Sequence, residues 1–257
     1  MKLLIKLGGT LLDAPDSRAR LASEIAAIPH AVVVVHGGGK QMTRYLAERN
    51  IESRFVNGLR VTTPEIVDAV LKVFAGTINT ELVGAFRAAG ARPVGLTGLD
   101  AGLVDAEPLD RELGAVGKPV RSDARLIELL TREHYLPVIA CVAGDAKGAV
   151  YNVNADQMAV ACASSFGANR LIFLTDVDGV KGAEGKVLES LTAKEAASLI
   201  QSGVATGGMQ AKLDAAVSAL RTGVGEIVIA PGARANALAD ILSGNLAGKQ
   251  IGTRIIY

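Results

Sequence analysis

The sequence predicts an α/β protein, a three-layer αβα sandwich built on an open, mostly parallel sheet. Three observations predict it: short β-rich runs alternate with helical stretches, those runs are apolar throughout, and glycines cluster just after several of them. Strands that alternate with helices belong to βαβ units, and strands apolar on both faces need helices covering both sides. The first run, "LLIKL" (3–7), has this character but carries Lys6 near its end. The next, "AVVVV" (31–35), is flanked by helical stretches at 17–28 and 39–49. A long helical stretch at 64–89, with Pro64 near its first turn, leads to "RPVGL" (92–96). "LPVIA" (136–140) follows a helix at 123–133 for which Asp123 is placed as the N-cap. Asn154 is similarly placed before a helix at 155–166, and "RLIFLTD" (170–176) comes next. Helices at 193–202 and 208–222 precede the last run, "EIVIA" (226–230). Residues 98–121 and 178–191 break the rhythm and read as hairpins and turns, insertions of the kind that form lids or binding loops. With no linker or internal repeat in view, residues 1–257 read as a single domain of two lobes, roughly 1–150 and 151–257.

Composition narrows the function. Lysine and arginine (27) nearly balance aspartate and glutamate (26), so neither a nucleic-acid surface nor a polybasic membrane surface is indicated. Aromatics make up only 4% of the chain and tryptophan is absent, which leaves little for stacking on bases. Cys141 and Cys162 lie in apolar surroundings without metal-ligand spacing and read as buried free thiols of a reducing compartment. No apolar run reaches transmembrane length and the first residues do not form a signal peptide, so the expectation is a soluble, cytoplasmic protein.

Chemistry gathers at the ends of the apolar runs. A charged Lys6 inside a buried strand needs a compensating partner, although a lysine snorkelling to the surface is an equal reading of that stretch alone. "VVVVHGGGKQ" (32–41) puts three glycines between a strand and a helix, where backbone N–H groups can hold an anion. Its spacing is neither that of a P-loop nor of a dinucleotide fingerprint. Arg60, in "NGLRVT" (57–62), has the planar fork that suits a carboxylate, though by itself it reads more readily as an ordinary arginine in a surface loop. "NVNADQMA" (152–159) opens a helix with more polar groups than a cap requires. "LTDVDGV" (174–180) places Asp176 and Asp178 at the carboxyl end of a strand, where open α/β sheets bind ligands. Lys212 lies about a turn into the helix that Gly207 and Gly208 precede, a position open also to a solvent-facing lysine.

In chain order, "KLGG" (6–9), "HGGG" (36–39), "NGLRVT", "NVNADQ" (152–157), "TDVDGV" (175–180), "GGMQAKL" (207–213) and "GTRI" (252–255) resemble the amino acid kinase family. Each segment is weak evidence; seven in order at family-like separations are specific. The resemblance covers almost the whole chain. It implies an open, mostly parallel sheet of about eight strands, with acceptor and dimer contacts in the first lobe and nucleotide in the second. It implies phosphorylation of the side-chain carboxylate of N-acetyl-L-glutamate by ATP in arginine biosynthesis, with Mg2+ held mainly by the ATP phosphates. Lys6 and Lys212 match the lysines that flank the migrating phosphoryl group, and Asp156 the carboxylate that organises them. Gly38, Gly39, Arg60 and Asn152 match acceptor-binding positions. Gly8, Gly9, Asp176, Val177, Asp178, Gly179, Val180, Lys181, Val204, Ala205 and Thr206 match the nucleotide site. Gly207 departs from the family pattern, where many relatives carry an aspartate.

The resemblance further implies a homodimer built around the helix at 64–89. Because the first strand starts at residue 2, insensitivity to arginine is expected as well. N-acetyl-aminoadipate, longer by one methylene, and other small carboxylates are the rival acceptors. A non-catalytic sensor of the same fold is the rival from a different class, and it should lack Lys6, Asp156 or Lys212, all of which are present.

Overall fold

A computed structural model describes residues 1–243 and 251–257. The chain opens with β1 (Lys2–Leu7), α1 (Pro15–Ala26), β2 (Ala31–His36) and α2 (Gly39–Ala47). A short hairpin follows, β3 (Phe55–Val56) and β4 (Leu59–Arg60), and then α3 (Pro64–Val70). This helix continues through a π-helical stretch, Leu71–Ile78, into α4 (Asn79–Ala88). Next come β5 (Pro93–Leu96), β6 (Val104–Pro108), β7 (Val116–Ser122), α5 (Arg125–Arg132) and β8 (Leu136–Ala140). β9 (Val142–Gly144) and β10 (Val150–Val153) precede α6 (Ala155–Phe166) and β11 (Arg170–Thr175). The rest is β12 (Ser190–Thr192), α7 (Ala193–Gln201), α8 (Gly207–Arg221), β13 (Glu226–Pro231), α9 (Ala237–Ser243) and β14 (Thr253–Ile256).

Eight strands form one sheet in the order β12-β14-β13-β11-β1-β2-β8-β5, parallel except where β14 runs against β13. Its six central and distal strands, β13 through β5, are the six apolar runs of the sequence. β1 lies inside the sheet, between β11 and β2. Leu3, Leu4, Ile5 and Leu7 are fully enclosed there. Burying each such side chain stabilises by roughly 1.5–3 kcal/mol, enough to hold the strand in place with one charged residue near its end.

Residues 98–121 hold the expected hairpin, β6 against β7, but it is not isolated. β6 and β7 pair with each other and close with β9 and β10 into a four-stranded unit of their own. The bridge between Thr62 and Gly114 ties that unit to the loop after β4. The expected hairpin at 178–191 is a short one, closed by the antiparallel bridge between Lys181 and Val187 and the Leu188 N–H to Val180 carbonyl bond, and β12 after it joins the main sheet.

N-caps fall where short polar side chains precede the helices. Thr63 accepts from the Ile66 N–H with Pro64 at the first turn, and Asn154 accepts from the N–H groups of Asp156 and Gln157. Asp123 accepts from the Arg125 N–H, one position outside the cap expected of it. No helix among the described residues is long and apolar enough to cross a membrane.

Candidate active site

The turns after β1, β2, β8 and β11 meet at one end of the sheet around a cleft of about 720 Å3. β2 lies on one side of β1 and β11 on the other, so strand order reverses here, which is where open α/β sheets bind ligands. The cleft brings together Lys6, Gly8, Gly9, Gly38, Gly39, Arg60, Asn152, Asp176 and Lys212. A larger hollow of about 1070 Å3 lies at the opposite end of the strands. Its cations are already engaged: Lys2 with Glu128 and the Phe166 carbonyl, Arg92 with the Tyr135 ring and the Glu133 carbonyl.

Asp156 is the centre of the cleft. Lys6 Nζ lies 2.7 Å from its Oδ1 and Lys212 Nζ 3.3 Å from its Oδ2, so lysines from β1 and α8 converge on one carboxylate at the start of α6. Capping of that helix belongs to Asn154, which leaves the Asp156 side chain free for the lysines. Burial pushes the Asp156 carboxyl upward, but the charges of Lys6 and Lys212 outweigh burial and bring it below its ordinary range. Lys6 acts on this carboxyl first through its charge and also through a hydrogen bond. Two ammonium groups on one carboxylate leave a surplus positive charge facing the cleft. That surplus suits a further anion.

Arg60 lines the opposite wall. Its guanidinium is buried, stacks over the Phe55 ring at 4.5 Å, and donates to Thr43 Oγ1 at 2.8 Å and to the Gly39 carbonyl at 3.3 Å. It also bonds Ser53 Oγ. Burial lowers its pKa, and among the described residues no carboxylate pairs with it. A buried cation with only neutral partners keeps an unmet demand for an anion. Asn152 donates to Thr62 Oγ1 at 3.1 Å, and Thr62 in turn donates to the Arg60 carbonyl at 2.9 Å, which fixes Arg60 against β10.

The glycine turn after β2 is packed without slack. A Cβ on Gly38 would overlap Ile78 Cδ1 and press on the Phe74 ring, so any larger residue here requires those side chains of the π-helical stretch to shift. In the described loops and caps no carbonyl takes the N–H of Gly38 or Gly39. They are free to donate.

His36 is fully buried at the end of β2, and burial lowers its pKa from 6.5 to about 4 despite the bond to Gly37. The unfolded chain takes up this proton near pH 6.5 and the folded chain refuses it until about pH 4. His36 therefore supports folding above pH 6.5, and that support is lost as pH falls toward 4, by up to about 1.4 kcal/mol per pH unit. The urea midpoint should fall between pH 7 and pH 5; an unchanged midpoint over that range would show that His36 titrates normally. At neutral pH a neutral, pinned imidazole is no general base for the cleft. Cys141 borders the same cleft, and burial pushes its thiol up to about 12, which removes it as a nucleophile.

The remaining candidates lie outside this cleft. Val177 and Asp178 are exposed and Val180 is buried; the Val180 N–H donates to Thr253 Oγ1 at 2.8 Å, so the "GTRI" strand fastens the turn after β11. Lys181 pairs with Val187 across the bridge, and Gly179 is enclosed. Ala205 is buried and Val204 exposed, and Thr206 precedes α8 without its side chain capping it. Gly207, the departure from the family pattern, takes φ +54, a left-handed conformation in which an aspartate would be strained. Thr43, Ser53, Phe55 and Thr62 do not stand out in the sequence. Thr43 follows Gly39 by one helical turn and Phe55 is one of few aromatics beside "NGLRVT", and those positions are the available signals.

A lysine pair on a shared carboxylate, glycine amides and a buried arginine at the carboxyl end of a parallel sheet define an anion-handling α/β protein of the phosphotransferase kind. The sequence pattern of the amino acid kinase family matches residues 1–231, and the chain belongs to that family. It is 61% identical to the acetylglutamate kinase of Solibacter usitatus (strain Ellin6076) over 259 aligned residues, covering 100% of this chain and 99% of the relative. It is 40% identical to the acetylglutamate kinase of Koribacter versatilis (strain Ellin345), again over 100% and 99% of the two chains. Among solved structures, smu.665 from Streptococcus mutans UA159 superposes with a TM-score of 0.80 at 27% identity, covering 99% of this chain and 98% of that one. The N-acetylglutamate synthase of Neisseria gonorrhoeae, complexed with coenzyme A and N-acetyl-glutamate, gives a TM-score of 0.88 at 24% identity. All of this chain aligns there with 59% of the synthase, a likeness of fold.

Proposed function

We propose that the protein transfers the γ-phosphoryl group of ATP to the side-chain carboxylate of N-acetyl-L-glutamate, forming N-acetyl-L-glutamyl 5-phosphate in arginine biosynthesis. The names of its relatives, identical over 61% and 40% of the full length, support that reaction. The observation that carries the site assignment is Arg60, a buried guanidinium without a carboxylate, facing the same cleft as Lys6, Asp156 and Lys212. The acceptor's α-carboxylate meets the demand of Arg60 and Asn152 lines the same pocket, while its side-chain carboxylate lies toward the lysines, near the N–H groups of Gly38 and Gly39.

The acceptor carboxyl, with an ordinary pKa of about 4.3, is already ionised at neutral pH, so attack needs no proton removed. One carboxylate oxygen bonds to the γ-phosphorus as its bond to the bridging oxygen breaks, and ADP leaves with that electron pair. The protein's work is to align two anions and neutralise charge on the group between them. Lys6 and Lys212 supply the charge and Asp156 keeps both ammonium groups in place. Glycine amides and ammonium groups fit a polyphosphate, so Mg2+ enters this assignment on the nucleotide's own phosphates. We assign the acceptor to the 1–150 lobe. The nucleotide belongs to the 151–257 lobe, with Gly8 and Gly9, Asp176 to Lys181 and Val204 to Thr206 around it. The chain pairs as a homodimer along the helix from Pro64 to Ala88, where Leu71 is exposed, and works in the cytoplasm.

ADP release measured across N-acetylglutamate, N-acetyl-aminoadipate, glutamate, aspartate and carbamate tests the reaction. Turnover highest with N-acetylglutamate is expected; preference for another acceptor overturns the substrate. Arg60→Lys tests the pocket. Lysine cannot reproduce a fork of two parallel hydrogen bonds, and losing one charge-assisted bond costs about 1.5–3 kcal/mol, so the acceptor KM should rise roughly ten- to hundredfold. The α-carboxylate lies away from the migrating group, so kcat should fall less and the KM for ATP should hardly move. A raised ATP KM with an unchanged acceptor KM would place Arg60 on the nucleotide side.

A further inference from the structure

We infer that Asn79 and His36 act as a buried positioning pair, Asn79 fixing the His36 tautomer so that its Nδ1–H anchors the Gly37 carbonyl and aims the Gly38 and Gly39 amides into the cleft. The inference rests on the acceptor-site reading above. It starts from a buried polar cluster that phosphoryl transfer leaves unused. His36 and Asn79 are both buried and bonded to each other, and the contacts of the cleft account for neither.

Asn79 Nδ2 lies 2.9 Å from the Val138 carbonyl and 3.0 Å from His36 Nε2. A carbonyl oxygen only accepts, so the nitrogen of the Asn79 amide must be the group that points there. The same nitrogen then donates to Nε2, which must be the unprotonated ring nitrogen. The proton is left on Nδ1, 3.0 Å from the Gly37 carbonyl, where it can donate. With the opposite tautomer, two hydrogens would face each other at Asn79 and two lone pairs at Gly37. Each bond of the chain fixes the next.

The pair also explains why the helix after Pro64 departs from α geometry. Asn79 is the first residue beyond the π-helical stretch Leu71–Ile78, and Phe74 and Ile78 of that stretch pack on Gly38. A π turn closes its hydrogen bond one residue later than an α turn and so rotates the helix beyond it, and such segments recur at functional sites. Here the stretch sets two apolar side chains on the glycine turn and the Asn79 amide under His36. The turn is thereby gripped from the helix side, while its amides face the acceptor. His36 touches neither substrate. It is a positioning residue.

Two substitutions of equal polarity separate positioning from packing. Asparagine reaches its amide nitrogen, a donor, through the same bonds as histidine reaches Nδ1, and glutamine reaches its side-chain oxygen, an acceptor, through the same bonds as Nε2. His36→Asn therefore keeps the donor to Gly37, whereas His36→Gln keeps the contact with Asn79 and loses the anchor. His36→Gln should raise the acceptor KM roughly tenfold, the scale of one lost buried hydrogen bond. His36→Asn should keep it within about threefold, with the KM for ATP within about twofold in both. A role in packing alone ranks glutamine, closer in size, at or above asparagine. That ranking, or acceptor and ATP KM rising together, overturns the inference. Arg60→Lys serves as the control: if it raises the acceptor KM while both His36 variants leave it unchanged, only this inference falls. If the wild type releases no ADP with N-acetylglutamate, the acceptor reading falls instead. Should the variants not fold, 15N NMR of the wild-type His36 ring decides, since a proton on Nδ1 is required and a proton on Nε2 refutes it.

Discussion

Removing either lysine is expected to lower kcat by about 10²–10³ in Lys6→Ala and Lys212→Ala, with a far smaller change in acceptor KM. Both ammonium groups lie on Asp156, at 2.7 Å and 3.3 Å, so either one can lean toward a phosphoryl group in the cleft without crossing the site. Charge on that group peaks as the bond to the leaving oxygen breaks, and a pre-placed donor aimed there is worth ~2.7–4 kcal/mol. In the proposed site, binding of the acceptor draws on Arg60 and the glycine amides, which neither substitution touches. Lys6→Ala also strips the closer partner from a buried carboxylate, so its fold should be checked by urea unfolding before turnover is compared. Because the lysines act on one migrating group, the double variant should lose much less than the product of the single losses. Near-normal kcat in either single variant would remove that lysine from the chemistry.

Much of this arrangement could be read from the residues, and the part that could not has a common cause. The runs 3–7, 31–35 and 170–176 were legible because interior parallel strands are apolar on both faces and so carry a signal independent of their neighbours. β12 and β14 were not: the edge strand β12 has three residues, and its neighbour β14 has four that alternate between buried and exposed, too few to show a period. Residues 98–121 looked like hairpins in an insertion, and β6 does pair with β7, but the two also close onto β9 and β10, tens of residues downstream, and no local pattern carries that closure. The same holds in the site. Lys6 was conspicuous as a charge in a core strand, and Asn152 ahead of Asn154 and Asp156 exceeded what one helix cap needs. Asn79 sits unmarked inside a long helical stretch, and its role appears only when the π-helical turns rotate it beneath His36. Arg60 was visible as a residue type suited to carboxylates, but its missing counter-anion is a property of three-dimensional burial.

Asp156→Asn should combine a large loss of turnover with a loss of stability that nucleotide repairs. The amide keeps the shape and much of the hydrogen bonding but leaves Lys6 and Lys212 without the charge that draws both to one point. Lys6 is itself buried, so two ammonium groups then repel each other in a poorly solvated pocket. Breaking a buried pair of this kind costs on the order of 3 kcal/mol in folding, at the lower end of the usual range because both lysines still open onto the cleft. kcat should fall by about 10² or more, since lysines that are no longer aimed lose most of a donor's worth. Acid dependence should change in step. The wild-type carboxyl titrates below its ordinary range, so its pairing supports folding above the unfolded pKa and that support is lost as pH falls through the folded one. The variant lacks that loss. Phosphate oxygens can replace the missing carboxylate charge, so ATP should raise the variant's Tm by more than it raises the wild type's. A helix-cap role predicts otherwise: asparagine caps about as well as aspartate, so Tm, turnover and the ATP shift would all stay near wild type. That result would take Asp156 out of the site.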